Sequence, residues 1–201
     1  MKTGIIIVSL ALLVNHYSFA QSGQDPDWPC IQVLVPEISA ASIWDGPSVE
    51  KLHNDEIFKE HTAALVFAVV ERHEPLTESQ LDEYKARFET DQQNMALTVL
   101  FKSFLDSFNT KRHQQIVTIK RYTKSQVKSA RAIENLMNQK DDLQAQQGSQ
   151  DKLEEIESKL HWQKRMFKER EQSFRFLCEL PQEIAQQAGE VARAIAAKLN
   201  Y

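Results

Sequence analysis

The residues best suited to bind a metal are five histidines beyond residue 20, and two of them follow a glutamate at helical spacing. Glu50 and His53 form the Glu-x-x-His pair that di-iron bundles place on one helix face. That site needs a second such pair with further inward glutamates, which the sequence lacks. Glu157 and His161 could share an ion, but their four-residue spacing is commonplace on exposed helices. We therefore predict no metal and no cofactor.

Motifs for other kinds of catalysis are also missing from the sequence. It contains no Gly-x-Ser-x-Gly nucleophile motif, no haem attachment motif and no glycine-rich phosphate loop. We therefore predict that the protein is not an enzyme.

The chain has two cysteines, Cys30 and Cys178. Neither belongs to a Cys-x-x-Cys motif, and neither has a histidine nearby in sequence, so a redox or metal-binding thiol pair is poorly supported. An even number of cysteines in an exported chain is typical of a disulfide. We predict a Cys30–Cys178 bond that joins the first part of the chain to a helix far along it.

Export is predicted from the first 20 residues. Lys2 is followed by an apolar run over residues 4–14, and Ser18-Phe19-Ala20 has the small-x-small pattern of a signal-peptidase site. The run is shorter than the roughly 20 residues that span a bilayer. We predict a signal peptide over residues 1–20, a periplasmic or secreted location, and no transmembrane segment in the mature chain.

Charge is unevenly distributed along the chain. The net charge of −4 argues against general binding of nucleic acid. Between Asp106 and Glu134 there is no acidic residue. That interval carries the seven cations that we call the basic stripe: Lys111, Arg112, Lys120, Arg121, Lys124, Lys128 and Arg131.

Two interpretations of the basic stripe remain open. Lys120, Arg121, Lys124 and Lys128 are candidate partner-binding residues, which could contact an anionic surface or an acidic client protein. Alternatively, the stripe is paired inside the bundle. A turn at residues 109–110 would bring Lys128 and Arg131 opposite Asp91 and Glu89.

Four of the six prolines lie before Ser48, which excludes a regular helix there. The segment is also too apolar for a disordered linker. We therefore predict an extended leader over residues 21–47, laid over the helices, with a short helical turn within residues 36–43. Trp28 and Trp44 in the leader either anchor it to the core or form the rim of a ligand site.

Helix signals follow the leader. Asn54 can cap a helix over residues 55–72, and a Thr77/Gln80 capping box starts a second helix, which we extend to Phe108. Asn109-Thr110 is interpreted as a turn, and a kink is the alternative. A long helix over residues 111–147, a stop at Gly148 and a returning helix then form a hairpin. Pro181 is expected to end the returning helix before a final amphipathic one.

The apolar seam of this hairpin is interrupted by polar residues. The interruptions are Gln126, Lys140, Gln144, Gln163 and Arg170. Two helices with such a seam bury little surface by themselves. We therefore expect the leader and the second helix, or another subunit or client, to cover part of the hairpin.

These patterns predict an all-α protein. Its parts are an antiparallel helical bundle over residues 48–201, a coiled-coil-like hairpin over residues 111–179 within it, and the extended, proline-rich leader. The predicted function is that of an exported, non-enzymatic interaction protein, such as an adaptor, assembly factor or chaperone-like protein, with a protein partner. The alternative is a helical bundle that binds a small ligand or a metal.

Overall fold

The computed structural model describes residues 25–52, 58 and 60–200, and the regular secondary structure of these residues is entirely helical. The helices are α1 (Ala40–Ile43), a 3-10 helix (Val49–Lys51), α2 (Ala63–Val70), α3 (Glu78–Lys85), α4 (Gln93–Ala145) and α5 (Gln150–Ala196). The predicted all-α fold is therefore confirmed. The predicted signal peptide, His53 and the Asn54 cap lie outside the described residues.

Two long antiparallel helices, α4 and α5, dominate the molecule. They contain 53 and 47 residues, which corresponds to lengths of about 80 and 70 Å. Gln147 adopts a left-handed conformation with φ 52°, and the Gly148 N–H donates to the Leu143 carbonyl at 2.9 Å. The helical hairpin and the stop at Gly148 were therefore predicted correctly. None of the described helices is long and apolar enough to cross a membrane.

The predicted turn at Asn109-Thr110 is wrong, because α4 runs through both residues. The Thr110 hydroxyl donates to the Asp106 carbonyl of the preceding turn instead of capping a new helix. The Asn109 side chain pairs with the backbone of the leader, accepting from the Ile38 N–H at 2.7 Å and donating to the Ile38 carbonyl at 3.1 Å. Asn109 thus makes a tertiary contact with the leader, and Thr110 makes a hydrogen bond within its own helix.

The prediction that Pro181 ends a helix is also wrong, because α5 continues to Ala196. Proline cannot donate to the carbonyl four residues earlier, which normally breaks a helix. Here, side chains from elsewhere bond to neighbouring carbonyls: Gln32 donates to Cys178, and Arg112 donates to Pro181 itself. Pro181 is fully buried, so packing also holds the helix together at this point.

The predicted second helix is divided into two. The Thr77/Gln80 capping box is present, but α3 ends at Lys85 and the chain turns before α4 begins at Gln93. This turn folds α3 back, so that the Tyr84 hydroxyl donates to the Ala96 carbonyl at 3.0 Å. Burial raises the pKa of Tyr84. Of the first predicted helix, the structure describes α2, which is followed by His73 in a left-handed conformation.

The main hydrophobic core lies at one end of the hairpin, which we call the base. There α2 and α3 pack around the first turns of α4 and the last turns of α5. The largest fully buried side chains of the chain include three from α4: Phe101, Phe104 and Phe108. We call the remainder of the hairpin, beyond this core, the arm. A second, smaller cluster joins Trp28 and Cys30 of the leader to Ile116 and Ile119 at the root of the arm.

Candidate functional site

The leader is fixed to the root of the arm by a covalent bond. Cys30 and Cys178 form a disulfide with a Cα–Cα distance of 5.6 Å across 148 residues of sequence. Trp28 is buried beside it, and its indole N–H donates to the Gln32 carbonyl at 2.8 Å. Further along, Trp44 stacks on Phe101 with ring centroids 4.1 Å apart. Both tryptophans of the leader therefore act as anchors.

Two candidate partner-binding residues are occupied by the leader. Lys120 pairs with Asp25 at 2.6 Å, and Lys124 pairs with Asp27 at 2.8 Å. The turn that would bring Lys128 and Arg131 opposite Asp91 and Glu89 is absent, so that alternative is wrong for these two residues. Because α4 is continuous, Arg131 lies about 57 Å along the helix from its start at Gln93.

These pairs shift the ionisation of the groups that form them. The hydrogen bond from Lys120, reinforced by the Asp27 N–H, lowers the pKa of Asp25 below its ordinary value of 3.8. The hydrogen bond to Asp27 raises the pKa of Lys124 above 10.5. Both shifts favour the charged forms, so the contact between leader and arm is strongest over the neutral range of pH.

Two further cations of the basic stripe have structural roles. Arg112 is buried and donates through Nε to the Val35 carbonyl at 2.9 Å, in addition to its bond with Pro181. Burial lowers the pKa of Arg112. Lys111 donates to the Val70 carbonyl of α2. Four of the seven cations of the stripe thus hold the leader or the base in place.

Three cations of the stripe remain: Arg121, Lys128 and Arg131. They are exposed and form no ion pair or hydrogen bond with any residue that the structure describes. Residues 121, 124, 128 and 131 are spaced by three and four, so they share one face of α4. Of the four candidate residues, Arg121 and Lys128 are therefore the two available to a partner.

A groove lies between the leader and the arm, next to the disulfide. We call it the leader groove; its volume is about 610 Å³. Phe167 and Phe174 of α5 form an apolar wall, the leader forms the facing side, and Gln126 of α4 also lines it. Charged side chains of both signs, Glu171 and Arg175 among them, complete the lining. This size is within the range of ligand-binding clefts.

Gln126 is the unusual member of the leader groove. It is 9% exposed, and its amide nitrogen donates to the Phe167 carbonyl at 3.3 Å. That carbonyl fixes the orientation of the amide, because an amide oxygen in the same place would face another acceptor. The remaining oxygen, Oε1, is buried without a hydrogen-bond partner. A buried acceptor left unpaired is costly and calls for an explanation.

The leader presents an apolar row to solvent beside the groove. Ile31, Val33 and Val35 are 100%, 74% and 50% exposed, whereas Gln32 and Leu34 between them are half-buried. The side chains therefore alternate between solvent and the protein, and the backbone bends at Ile31 and Gln32. Sequence reasoning missed this row, although the period of two in Ile31-Gln32-Val33-Leu34-Val35 is the signal that predicts it.

Of the two candidate metal-binding pairs, the structure describes both residues only of Glu157 and His161. Glu157 pairs with Lys140 of α4 at 2.8 Å, and His161 lies on the exposed surface of α5. Among the residues that the structure describes, no three histidine, cysteine, aspartate or glutamate side chains are grouped as a metal site requires. The structure thus offers no donor set for the alternative of a metal-binding bundle within that part of the chain.

Comparison of the chain with protein-family models, curated proteins and solved structures found no match.

Proposed function

We propose that this protein is a non-enzymatic interaction protein that acts outside the cytoplasm, in the periplasm or after secretion, and holds a protein partner against the leader side of the arm. The observation that carries this proposal is the row of Ile31, Val33 and Val35, exposed on a segment that a disulfide fixes in place. Exposed apolar patches beside polar residues mark interaction sites.

The basic stripe is a second reason to propose the leader side of the arm as the binding surface. Arg121 and Lys128 lie near Lys124, which holds the leader through Asp27. Unpaired cations beside an apolar patch accelerate the approach of an acidic partner and affect final affinity less. The disulfide supports a location outside the cytoplasm, since such bonds persist in oxidising compartments.

The test uses a photo-crosslinking amino acid at position 33 in cells that naturally make the protein, with position 89 in the base as the control site. We expect one discrete adduct from position 33 and none from position 89. Ile31→Asp, which alters a fully exposed side chain, should abolish the adduct. Phe176→Asp, at an exposed apolar residue of α5 outside the leader, is the matched control and should preserve it.

Equal adducts from both positions, or an adduct that survives Ile31→Asp, would contradict the proposal. Circular dichroism of each variant verifies that the helical fold is intact.

A further inference from the structure

Charge is divided along the arm into a basic middle and an acidic tip. The outer part of the basic stripe lies beside residues 158–168 of α5, which contain four cations and no acidic residue. Gln126 shows this register, because its amide donates to the Phe167 carbonyl of α5. Residues 134–157, which form the tip, contain seven acidic residues and two cations. The middle of the arm is therefore positive and its tip is negative.

One face of the arm displays this division. The leader lies against Lys120 and Lys124 of α4, and steps of three and four residues continue their helix face through residues 127, 131, 134, 138 and 141. Glu171 and Arg175 of α5 line the leader groove, and the same steps continue their face through residues 168, 164, 161, 157 and 154. We call this two-helix surface the arm face. Its charged side chains beyond the leader are exposed: Arg131, Glu134 and Asp141 on α4, and Glu154, Glu157, Lys164 and Lys168 on α5.

On α5, the charges of the arm face reverse sign about His161. Lys164 and Lys168 lie three and seven residues after His161, whereas Glu157 and Glu154 lie four and seven residues before it. This spacing is nearly symmetric along the helix. A half-turn about an axis at His161 therefore exchanges the lysines with the glutamates.

On α4, the sign reverses between Arg131 and Glu134. Because residue 126 lies opposite residue 167 in the antiparallel hairpin, residue 132 lies opposite His161. The reversal points of the two helices are therefore at the same level of the arm.

Most of the charges near this level have no partner within the chain. Four of them form no ion pair or hydrogen bond with any residue that the structure describes: Arg131, Glu134, Lys164 and Lys168. Glu154 and Glu157 each bond through one oxygen, Oε1, to Gln150 and Lys140 respectively. The arm face thus presents charge of both signs that a partner can pair with.

We infer that the arm face binds a second copy of the chain, with the two arms antiparallel and a two-fold axis beside His161. The basic half of each arm then lies on the acidic half of the other. The facing pairs between the copies are Arg131 with Glu134, Lys164 with Glu157 and Lys168 with Glu154. A two-fold dimer uses the same surface on both copies, so that surface must complement itself.

The sign reversal favours a second copy over other occupants. An acidic protein or an anionic lipid surface would be attracted by the basic half and repelled by the acidic half. Two parallel copies would bring like charges together. The arm face from Val127 to Asp141 is about 20 Å long, which is short for a stable dimer, so the association should be weak and sensitive to salt.

The first measurement is sedimentation velocity of the full mature protein over a concentration series at low and high salt. We expect a monomer–dimer equilibrium at low salt that shifts to monomer at high salt. Monomer at every concentration, or equal self-association at both salt concentrations, would overturn the inference. Binding to phosphatidylglycerol vesicles without self-association would also overturn it, and would identify the basic half as a lipid-binding surface.

The second measurement reverses charges on the arm face. Lys164→Glu with Lys168→Glu makes the α5 part of the face acidic throughout, and Glu154→Lys with Glu157→Lys makes it basic. We expect each variant alone to be monomeric and an equimolar mixture of the two to form dimers, since opposite charges then meet along α5. A mixture that does not associate would overturn the inference.

The matched control is Arg72→Glu with Arg87→Glu, which makes the same change in net charge at exposed residues of the base. This control should self-associate like the wild type, and its failure to do so would show that net charge, not the arm face, decides association. Circular dichroism verifies that each variant keeps its helical fold.

The third measurement tests the orientation with single added cysteines and a bismaleimide crosslinker. Position 161 lies beside the axis, whereas positions 146 of two antiparallel copies are about 40 Å apart. We expect a covalent dimer from His161→Cys and none from Gln146→Cys. A dimer from Gln146→Cys alone would indicate parallel copies and overturn the inference.

The inference goes beyond the proposed function, because the arm face lies further along the arm than the row of Ile31, Val33 and Val35. Failure of self-association would leave the proposed function standing, since the position-33 adduct tests that function separately.

Discussion

At the scale of single residues, the basic stripe separates into side chains with different tasks. Lys120 and Lys124 are paired with the leader, whereas Arg121 and Lys128 have no partner in the described part of the chain. We expect Lys120→Gln with Lys124→Gln to lower thermal stability slightly, because the pairs are partly exposed. Arg121→Gln with Lys128→Gln should leave thermal stability unchanged and slow partner association.

The measurement is thermal unfolding of both double variants, followed by the yield of the position-33 adduct at low and high salt. The two variants remove the same charge from the same helix, so each is the control for the other. Slower association in the paired-lysine variant alone would contradict this assignment.

The stability difference between wild type and the Lys120→Gln/Lys124→Gln variant should depend on pH. The pKa of Asp25 is lowered in the folded protein, so its contribution is complete above 3.8 and is lost as the pH falls below that value. The pKa of Lys124 is raised, so its contribution is complete below 10.5 and is lost as the pH rises above it. Melting temperatures measured from pH 2.5 to 11.5 should therefore differ most over the neutral range and converge at both extremes.

The sequence identified the cations of the basic stripe as candidate partner-binding residues. It could not show which of them pair with acidic residues inside the molecule. A run without acids is visible along the chain, but Asp25 lies 95 residues before Lys120. Only the course of the leader brings them together. Likewise, the unpaired oxygen of Gln126 depends on a hydrogen bond to a carbonyl 41 residues away, which no local pattern reports.

At the scale of elements, Asn109 joins α4 to the leader through two hydrogen bonds with Ile38. Asn109→Ala leaves both backbone groups of Ile38 without these partners in a part-buried place, so we expect a loss of about 1–3 kcal/mol in the free energy of unfolding. Thr110→Ala removes a hydroxyl that bonds only within its own helix and should cost much less. Urea unfolding of the two variants measures the difference, and equal losses would contradict the role of Asn109.

The elements whose signals are local were predicted correctly, and those decided by distant contacts were not. The capping box at Thr77 and the stop at Gly148 depend on neighbouring residues, and both are present. Asn109 and Pro181 carry the local signals of a turn and of a helix end. At Asn109, a hydrogen bond from the leader accompanies the continuous helix α4. At Pro181, a hydrogen bond from Arg112 of α4 accompanies the continuous helix α5.

At the scale of the whole molecule, the core and the arm are distinct. Between Ile119 and Ile184, the described residues include two buried apolar side chains, Leu160 and Pro181. Replacing residues 130–165 with a short Gly/Ser turn should therefore leave the melting temperature within a few degrees of wild type, since most buried surface remains. A large fall in the melting temperature would show that the arm stabilises the base.

The Cys30–Cys178 bond also closes residues 30–178 into a ring, which includes α2, α3, α4 and the first part of α5 up to Cys178. A protease that cuts once at the exposed tip, for example next to Gln147, therefore opens the ring without releasing either piece. The cut protein should run as one species on a denaturing gel without reductant and as two fragments once the bond is reduced. A single cut at the exposed tip would thus leave the leader and α5 on the same molecule.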